Sequence, residues 1–124
     1  KEALSKAKIG LYNPRSLENM PRENITRFFT KEGDFFKIKD EVKRCVRFSH
    51  HNLLKDPYHF DCDLIACRNV LIYFTEEAKS EIYLKFNNAL RPGGILFVGS
   101  TEQIIMPNRY SFKPLRTFFY QKIN

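Results

Sequence analysis

The chain has no apolar run near the roughly 18 residues that a membrane-crossing helix needs. Its first residues, Lys1-Glu2-Ala3-Leu4-Ser5, lack the apolar stretch of a secretory signal and carry no starting methionine. A fragment of a longer chain is therefore expected. There is no internal repeat and no low-complexity segment. Cysteine is scarce: Cys45, Cys62 and Cys67 form an odd set with no close C-x-x-C pair. That excludes a disulfide framework, argues against a zinc site, and suits free thiols in a reducing cytoplasm. The histidines are few as well. His50 and His51 are adjacent and cannot both face one metal from a regular element, so no metal ligand is assigned. Glycine fingerprints are missing too. No G-x-G-x-x-G, no Walker loop and no G-x-S-x-G elbow occurs. Gly93-Gly94 precedes an apolar run, so it cannot cradle a phosphate at a helix start.

What remains is an ordinary globular composition. A chain of 124 residues makes one domain at most, with 43% hydrophobic and 28% charged residues. The net charge of +7 favours an acidic partner, without choosing among nucleic acid, an anionic membrane and an acidic protein surface. The excess is uneven: residues 1–60 hold 13 basic and 8 acidic side chains, so the first half is the expected docking face.

Local patterns divide the chain. Lys1 to Ile9 reads as a short helix stopped by Gly10. Leu11 to Asn24 reads as irregular, broken by Pro14 and Pro21, with Ser16 or Asn24 as caps of short turns. From Arg27 to Phe48, Phe28-Phe29, Phe35 to Ile38 and Val42 to Phe48 look like strands of an antiparallel ribbon. Thr30 to Asp34 is the expected turn, with Gly33 at a positive-φ position. The ribbon phenylalanines either pack it onto the main body or form a docking surface; ribbon faces alternate, so both can hold.

From Asp61 the pattern becomes strand, helix, strand. Asp63 to Cys67 is a short apolar run suited to a strand buried on both faces. Thr75 is a good N-cap, and Glu76 and Glu77 occupy the first turn, where the helix dipole favours anions. Ala78, Ile82, Phe86, Ala89 and Leu90 share one helical face. Arg91-Pro92-Gly93-Gly94 ends the helix, and Ile95 to Gly99 forms the next buried strand. The spacing implies a right-handed crossover and a parallel pair. Tyr110 to Phe112 and Thr117 to Tyr120 read as two final antiparallel strands at a sheet edge, with Pro114 in the turn.

Ligands of open α/β sheets bind beyond the carboxyl ends of the strands. One such end is Cys67-Arg68-Asn69, continuing to Tyr73; another is Gly99 to Glu102. Arg68 and Asn69 read either as a capped surface loop or as an anion- and amide-recognising pair, with the Arg68 guanidinium as a forked donor. Asn52 either contacts an adenine or holds a turn. The residues alone define a crevice and no reaction.

Asp63-Leu64-Ile65-Ala66-Cys67-Arg68-Asn69-Val70-Leu71-Ile72-Tyr73-Phe74 resembles the C-R-N-V-x-I-Y-F signature of the chemotaxis receptor glutamate methyltransferases, the CheR type. Ala7 to Tyr12 is similar to that family's A-x-x-G-x-Y segment, and Phe48 to Leu54 to its F-x-x-x-N-L-L segment. Leu90 to Phe97 resembles L-x-P-G-G-x-L-F. Gly99 to Glu102 resembles G-x-S-E, with Thr101 in place of the usual serine.

The resemblance implies a partial Rossmann-like class I methyltransferase sheet with a small antiparallel β-subdomain at residues 25–48, residues 1–124 being the C-terminal portion of the catalytic domain. It implies S-adenosylmethionine as methyl donor, S-adenosylhomocysteine as product, and glutamate side chains on the cytoplasmic helices of methyl-accepting chemoreceptors as acceptors. By motif position, Asn52 and Leu53 line the adenine end of the donor. Arg68 and Asn69 sit near its methionine part and the reacting centre. Arg68 and Tyr73 are the catalytic candidates, with Tyr73 bordering the acceptor channel. Against the family pattern the chain begins where the second strand should just have ended. The glycine-containing first motif and the acidic ribose-holding residue are therefore expected to be missing, and the isolated chain to be inactive, marginally stable, or paired with another copy by strand swapping. The alternative is a non-catalytic docking module in a signalling complex. Nucleic acid and membrane insertion are not expected: no aromatic-basic RNA motif supports the first. Peptide-docking family members resemble one another in a longer glycine-bearing ribbon loop than Lys31-Glu32-Gly33-Asp34. No tether to a receptor tail is thus expected, and measurable affinity for a tail peptide would overturn that.

Overall fold

Thr75 opens the longest helix by the mechanism its sequence announces. Its hydroxyl accepts the Ala78 N–H at 3.2 Å, while Glu76 and Glu77 lie against the positive end of the dipole. In the computed structural model, which describes residues 2–99 and 102–123, this helix is one of four. The chain divides into two compact units, residues 1–51 and 52–124.

The first unit holds helix α1 (Glu2–Ile9), strand β1 (Leu11–Tyr12), a 3₁₀ turn (Pro14–Leu17), helix α2 (Arg22–Phe28), strands β2 (Phe29–Glu32) and β3 (Phe35–Ile38), and the single-turn helix α3 (Asp40–Lys43). Its sheet is antiparallel in the order β1-β3-β2. Glu32 pairs with Phe35, so the hairpin turn is only Gly33-Asp34, tighter than the expected one. Gly10 stops α1 at φ +71°, and a side chain there would meet Ile38 Cγ2 at 2.6 Å. This glycine is therefore required both by its backbone conformation and by the close approach of β3. Phe29 and Leu17 are buried, and Tyr12 packs edge-on against Phe29 at 6.0 Å.

Three expectations fail in this unit. Arg27 and Phe28 end α2 instead of opening a strand. The cap of the Pro14 turn is Asn13, whose side chain accepts from Ser16 N at 2.9 Å; Asn24 lies inside α2, whose N-cap is Pro21. Val42 to Phe48 is not a strand. Asp40 and Glu41 sit in the first turn of α3, and β3 already has a partner on each edge. Val46 and Phe48 are consequently exposed.

The second unit holds strand β4 (Cys62–Ala66), a 3₁₀ turn (Leu71–Tyr73), helix α4 (Glu76–Ala89), strand β5 (Leu90–Phe97), a 3₁₀ turn (Pro107–Tyr110), and strands β6 (Phe112–Arg116) and β7 (Phe119–Lys122). The sheet order is β4-β5-β7-β6. β4 and β5 are parallel, joined through α4, and the other pairs are antiparallel. The helical face expected from the sequence is the one that is covered: Ile82 and Phe86 are buried in one core cluster with Leu96, Val98 and Phe112, and Ala89 is buried as well. Burying Ile82 or Phe86 contributes about 1.5–3 kcal/mol each. Polar contacts tie α4 to the segment before β6: Asn87 Nδ2 donates to Ser111 O at 3.0 Å, and Ser80 Oγ and Tyr110 Oη are 2.9 Å apart.

Here too there are corrections. Leu90 belongs to β5, and Arg91-Pro92-Gly93-Gly94 does not lie between helix and strand. It forms an irregularity inside β5, since Cys62 pairs with Leu90 but Leu64 with Ile95. β4 is not buried on both faces: Asp63, Leu64 and Ala66 are exposed, and β4 lies at the edge of the described sheet. Pro114 sits within β6, an edge strand that tolerates a missing N–H donor, and Thr117-Phe118 makes the turn. Phe112→Ala is expected to cost about 3–5 kcal/mol and Leu64→Ala under about 1 kcal/mol, read as shifts in the urea unfolding midpoint.

Candidate functional site

The crevice is built where β4 and β5 end side by side. The Cys67 N–H donates to Phe97 O at 2.9 Å, carrying the ladder one residue past β4. Then the chain turns. Asn69 has φ +59°, a left-handed conformation that asparagine accepts more readily than most residues. Leu71, buried in the core, anchors the following 3₁₀ turn, and Phe74 N donates back to Leu71 O. The segment therefore sorts itself: Cys67, Leu71 and Phe74 pack inward, while Arg68, Asn69, Val70, Ile72 and Tyr73 are exposed. Tyr73 is 83% exposed, so it is presented as a rim residue.

Arg68 is exposed yet oriented. Its Nε donates to Gly99 O, just past the end of β5, at 2.9 Å. Its guanidinium lies 5.8 Å from the centroid of Phe97, which in turn stacks on Phe119 at 4.5 Å. Anchoring through Nε leaves the N–H groups of the terminal nitrogens as the donor fork. Gly99 itself has no room for a side chain: a Cβ would meet Phe97 Cε1 at 2.8 Å and Phe118 at 3.0 Å. The Gly99 carbonyl and the Phe97 ring carry no sequence signal that would have tied them to Arg68; strand adjacency alone brings them there.

Asn52 and Leu53 are placed by a different device. Asn52 Oδ1 accepts the N–H groups of Leu54 and Lys55 at 3.0 and 3.1 Å, and Asn52 N donates to Asp56 Oδ2 at 2.7 Å. Of the two roles open to Asn52, turn-holding is the one its carbonyl oxygen serves. Leu53 packs against the core, and its carbonyl accepts the Tyr58 hydroxyl at 2.7 Å. Lys85 of α4 donates to Leu54 O. Arg68 is thus joined to the Gly99 end of β5, whereas the hydrogen bonds of Asn52 stay inside its own turn. An open pocket of about 350 Å³ adjoins that turn, lined by Lys55, Pro57, Tyr58, Phe60, Lys85 and Asn88. Ser100 and Thr101 of the G-x-S-E-like segment, and Lys1 of the first helix, lie outside the described residues. Glu102 of that segment is described: it pairs with Lys79 at 2.9 Å, a contact between residues far apart in sequence that no local pattern signals.

Two of the displaced titrations belong to these segments. Burial pushes the Cys67 thiol up, so it stays protonated at neutral pH and is no nucleophile. The Tyr58 phenol is pushed up to about 12 by burial, with smaller contributions from Cys67 and Glu81.

A parallel strand–helix–strand unit followed by an antiparallel terminal hairpin is the layout of the C-terminal part of a class I methyltransferase sheet. Sequence comparison agrees. The family described as CheR methyltransferase, SAM binding domain, matches residues 1–119. A chemotaxis protein methyltransferase of Listeria innocua is 44% identical over 119 residues, covering 96% of this chain and 45% of that protein. Its Listeria monocytogenes counterpart shows the same identity and coverage. The Escherichia coli chemotaxis protein methyltransferase is 35% identical over 108 residues, covering 82% of this chain and 37% of that protein. The chain belongs to the CheR methyltransferase SAM-binding family, whose methyl donor is S-adenosylmethionine. It spans less than half the length of the Listeria relatives. No helix among the described residues is long and apolar enough to cross a membrane.

The Tyr58 hydroxyl donates to Leu53 O, so losing its proton removes a bond of the turn. A phenol raised in the folded state stabilises fully below its ordinary value of 10.0, and that stability is lost as pH rises from there through about 12. Tyr58→Phe is expected to flatten this part of the alkaline loss, seen by comparing urea midpoints of both proteins between pH 9 and about 12.

Proposed function

We propose that the protein transfers a methyl group from S-adenosylmethionine to glutamate carboxylates on the cytoplasmic helices of chemoreceptors, acting in the cytoplasm. The observation that carries this reading is Arg68, held by the Gly99 carbonyl at the carboxyl end of a parallel strand pair. The donor set fits the cofactor's methionine end, because a guanidinium with a free-facing fork suits an α-carboxylate. Asn69 borders the same end, and Leu53, set by the turn of Asn52, lines the adenine side together with Asn52. When bound, the donor supplies an electrophilic methyl group on a sulfonium sulfur.

The chain's own residues have a restricted task. A glutamate with an ordinary pKa near ~4.3 is already ionised at neutral pH, so no general base is needed. Arg68 fixes one partner, and Tyr73 at the rim borders the channel by which the other arrives. Alignment and exclusion of water provide the rate. The net charge of +7 draws in Glu-rich helices.

Residues 1–124 supply the C-terminal portion of the catalytic domain, with the ribbon at 25–48 as its receptor-contacting subdomain. Alone they leave the β4 edge open, with Leu64 59% exposed, and pairing between two copies through that edge follows for the isolated chain. The test is calorimetric titration of S-adenosylhomocysteine into this chain and into one extended N-terminally to the length of its relatives. Micromolar binding by the extended chain only, weakened about tenfold or more by Arg68→Ala, is expected. Binding to neither chain would overturn the methyltransferase reading in favour of a docking module that works without a donor.

A further inference from the structure

Phe97 meets the guanidinium of Arg68 through the ordinary geometry of neighbouring strands. Ala66 of β4 pairs with Phe97 of β5, and Phe97 pairs with Phe119 of β7. Side chains two apart on a strand share a face, and the Cys67 N–H carries the ladder past β4. Arg68, two residues beyond Ala66, therefore continues the line of side chains on the Phe97 face. Diagonal neighbours of this kind come within reach when one is aromatic and the other long. Ala66 adds only a methyl group between them. Leu96 and Val98, on either side of Phe97 in sequence, point into the core instead, which leaves Phe97 half-buried on the other face. Its ring is steadied by stacking on Phe119, with 4.5 Å between centroids and 19° between planes.

Gly99 serves both contacts of Arg68. Its carbonyl accepts from Arg68 Nε at 2.9 Å. Its missing side chain makes room for the ring, since a Cβ there would stand 2.8 Å from Phe97 Cε1. The single hydrogen bond at Nε fixes one point of the guanidinium and leaves its plane free to swing. The Phe97 ring, 5.8 Å from the guanidinium carbon, restricts that swing. An exposed arginine held at one point only loses its remaining freedom when ligand binds, a cost that preorganisation removes.

We propose that Phe97 is a positioning residue for the donor site: its ring sets the plane of the Arg68 guanidinium, so that the donor fork is presented to a carboxylate before the ligand arrives. The inference rests on the reading of Arg68 as the group that meets the methionine end of the donor. Phe97 acts through Arg68, and its contribution is therefore confined to ligands that carry that end.

The test is a double-mutant cycle in the full-length polypeptide that carries this chain. Calorimetry reads the affinity for S-adenosylhomocysteine and for methylthioadenosine, which lacks the amino-acid end. Phe97→Leu keeps an apolar side chain and removes the ring. It is expected to weaken S-adenosylhomocysteine binding about two- to fivefold, with methylthioadenosine binding unchanged and Phe97→Tyr restoring the loss. In an Arg68→Ala background, Phe97→Leu is expected to add no further loss. Normal S-adenosylhomocysteine binding by Phe97→Leu would overturn the proposal. So would an equal loss on both ligands, or an equal loss with and without Arg68, since either is what a general loosening of the sheet produces. If Phe97→Leu does not fold, Phe97→Met makes the same comparison. Normal binding by Arg68→Ala alone would instead sink the donor-site reading, which separates the two failures.

Discussion

The parallel pairing of β4 with β5 is the constraint on which the rest of the second unit depends. Parallel neighbours cannot be joined by a tight turn, so the chain must cross over, and α4 is that crossover. Because both strands run the same way, two segments distant in sequence, Arg68-Asn69 and Gly99, emerge at one end of the sheet. The N-terminus of α4 emerges there as well. A crevice with convergent polar groups follows from topology before any individual side chain is considered. Antiparallel pairing would have sent Arg68 and Gly99 to opposite ends.

A second regularity is the use of long polar side chains to satisfy backbone carbonyls where elements stop or their ladder is interrupted. Arg68 serves Gly99, Lys85 serves Leu54, Lys122 serves Leu90 and Gln121 serves Gly93. An unpaired carbonyl costs about 1–3 kcal/mol when buried. The basic composition is therefore partly structural. Some cations available in principle to an acidic partner are committed to the fold.

Legibility in the sequence followed the range of the interaction. The Thr75 cap, the acidic first turn and the apolar face of α4 are local, and all were readable. So were the parallel unit and the Cys67-to-Phe74 signature. What could not be read depended on partners remote in sequence. Val42 to Phe48 has strand-like residues but no free edge of β3 to join. Arg91 to Gly94 looks like a helix stop, yet the ladder with β4 absorbs it as an irregularity. Asp63 to Cys67 reads as a doubly buried strand, yet no described element covers Leu64. The Lys79–Glu102 pair and the Gly99 anchor of Arg68 belong to the same class, since only the folded sheet makes them neighbours.

Pro114 has a further consequence for the sheet as a growing object. It lies on β6, where a proline withholds an N–H from the outer rim, and Lys113 and Arg116 flank it with charge. The opposite rim, β4, contains no proline and exposes Leu64. The two rims are therefore unlike: β6 offers one N–H fewer and flanking charge to a further strand, whereas β4 withholds no donor.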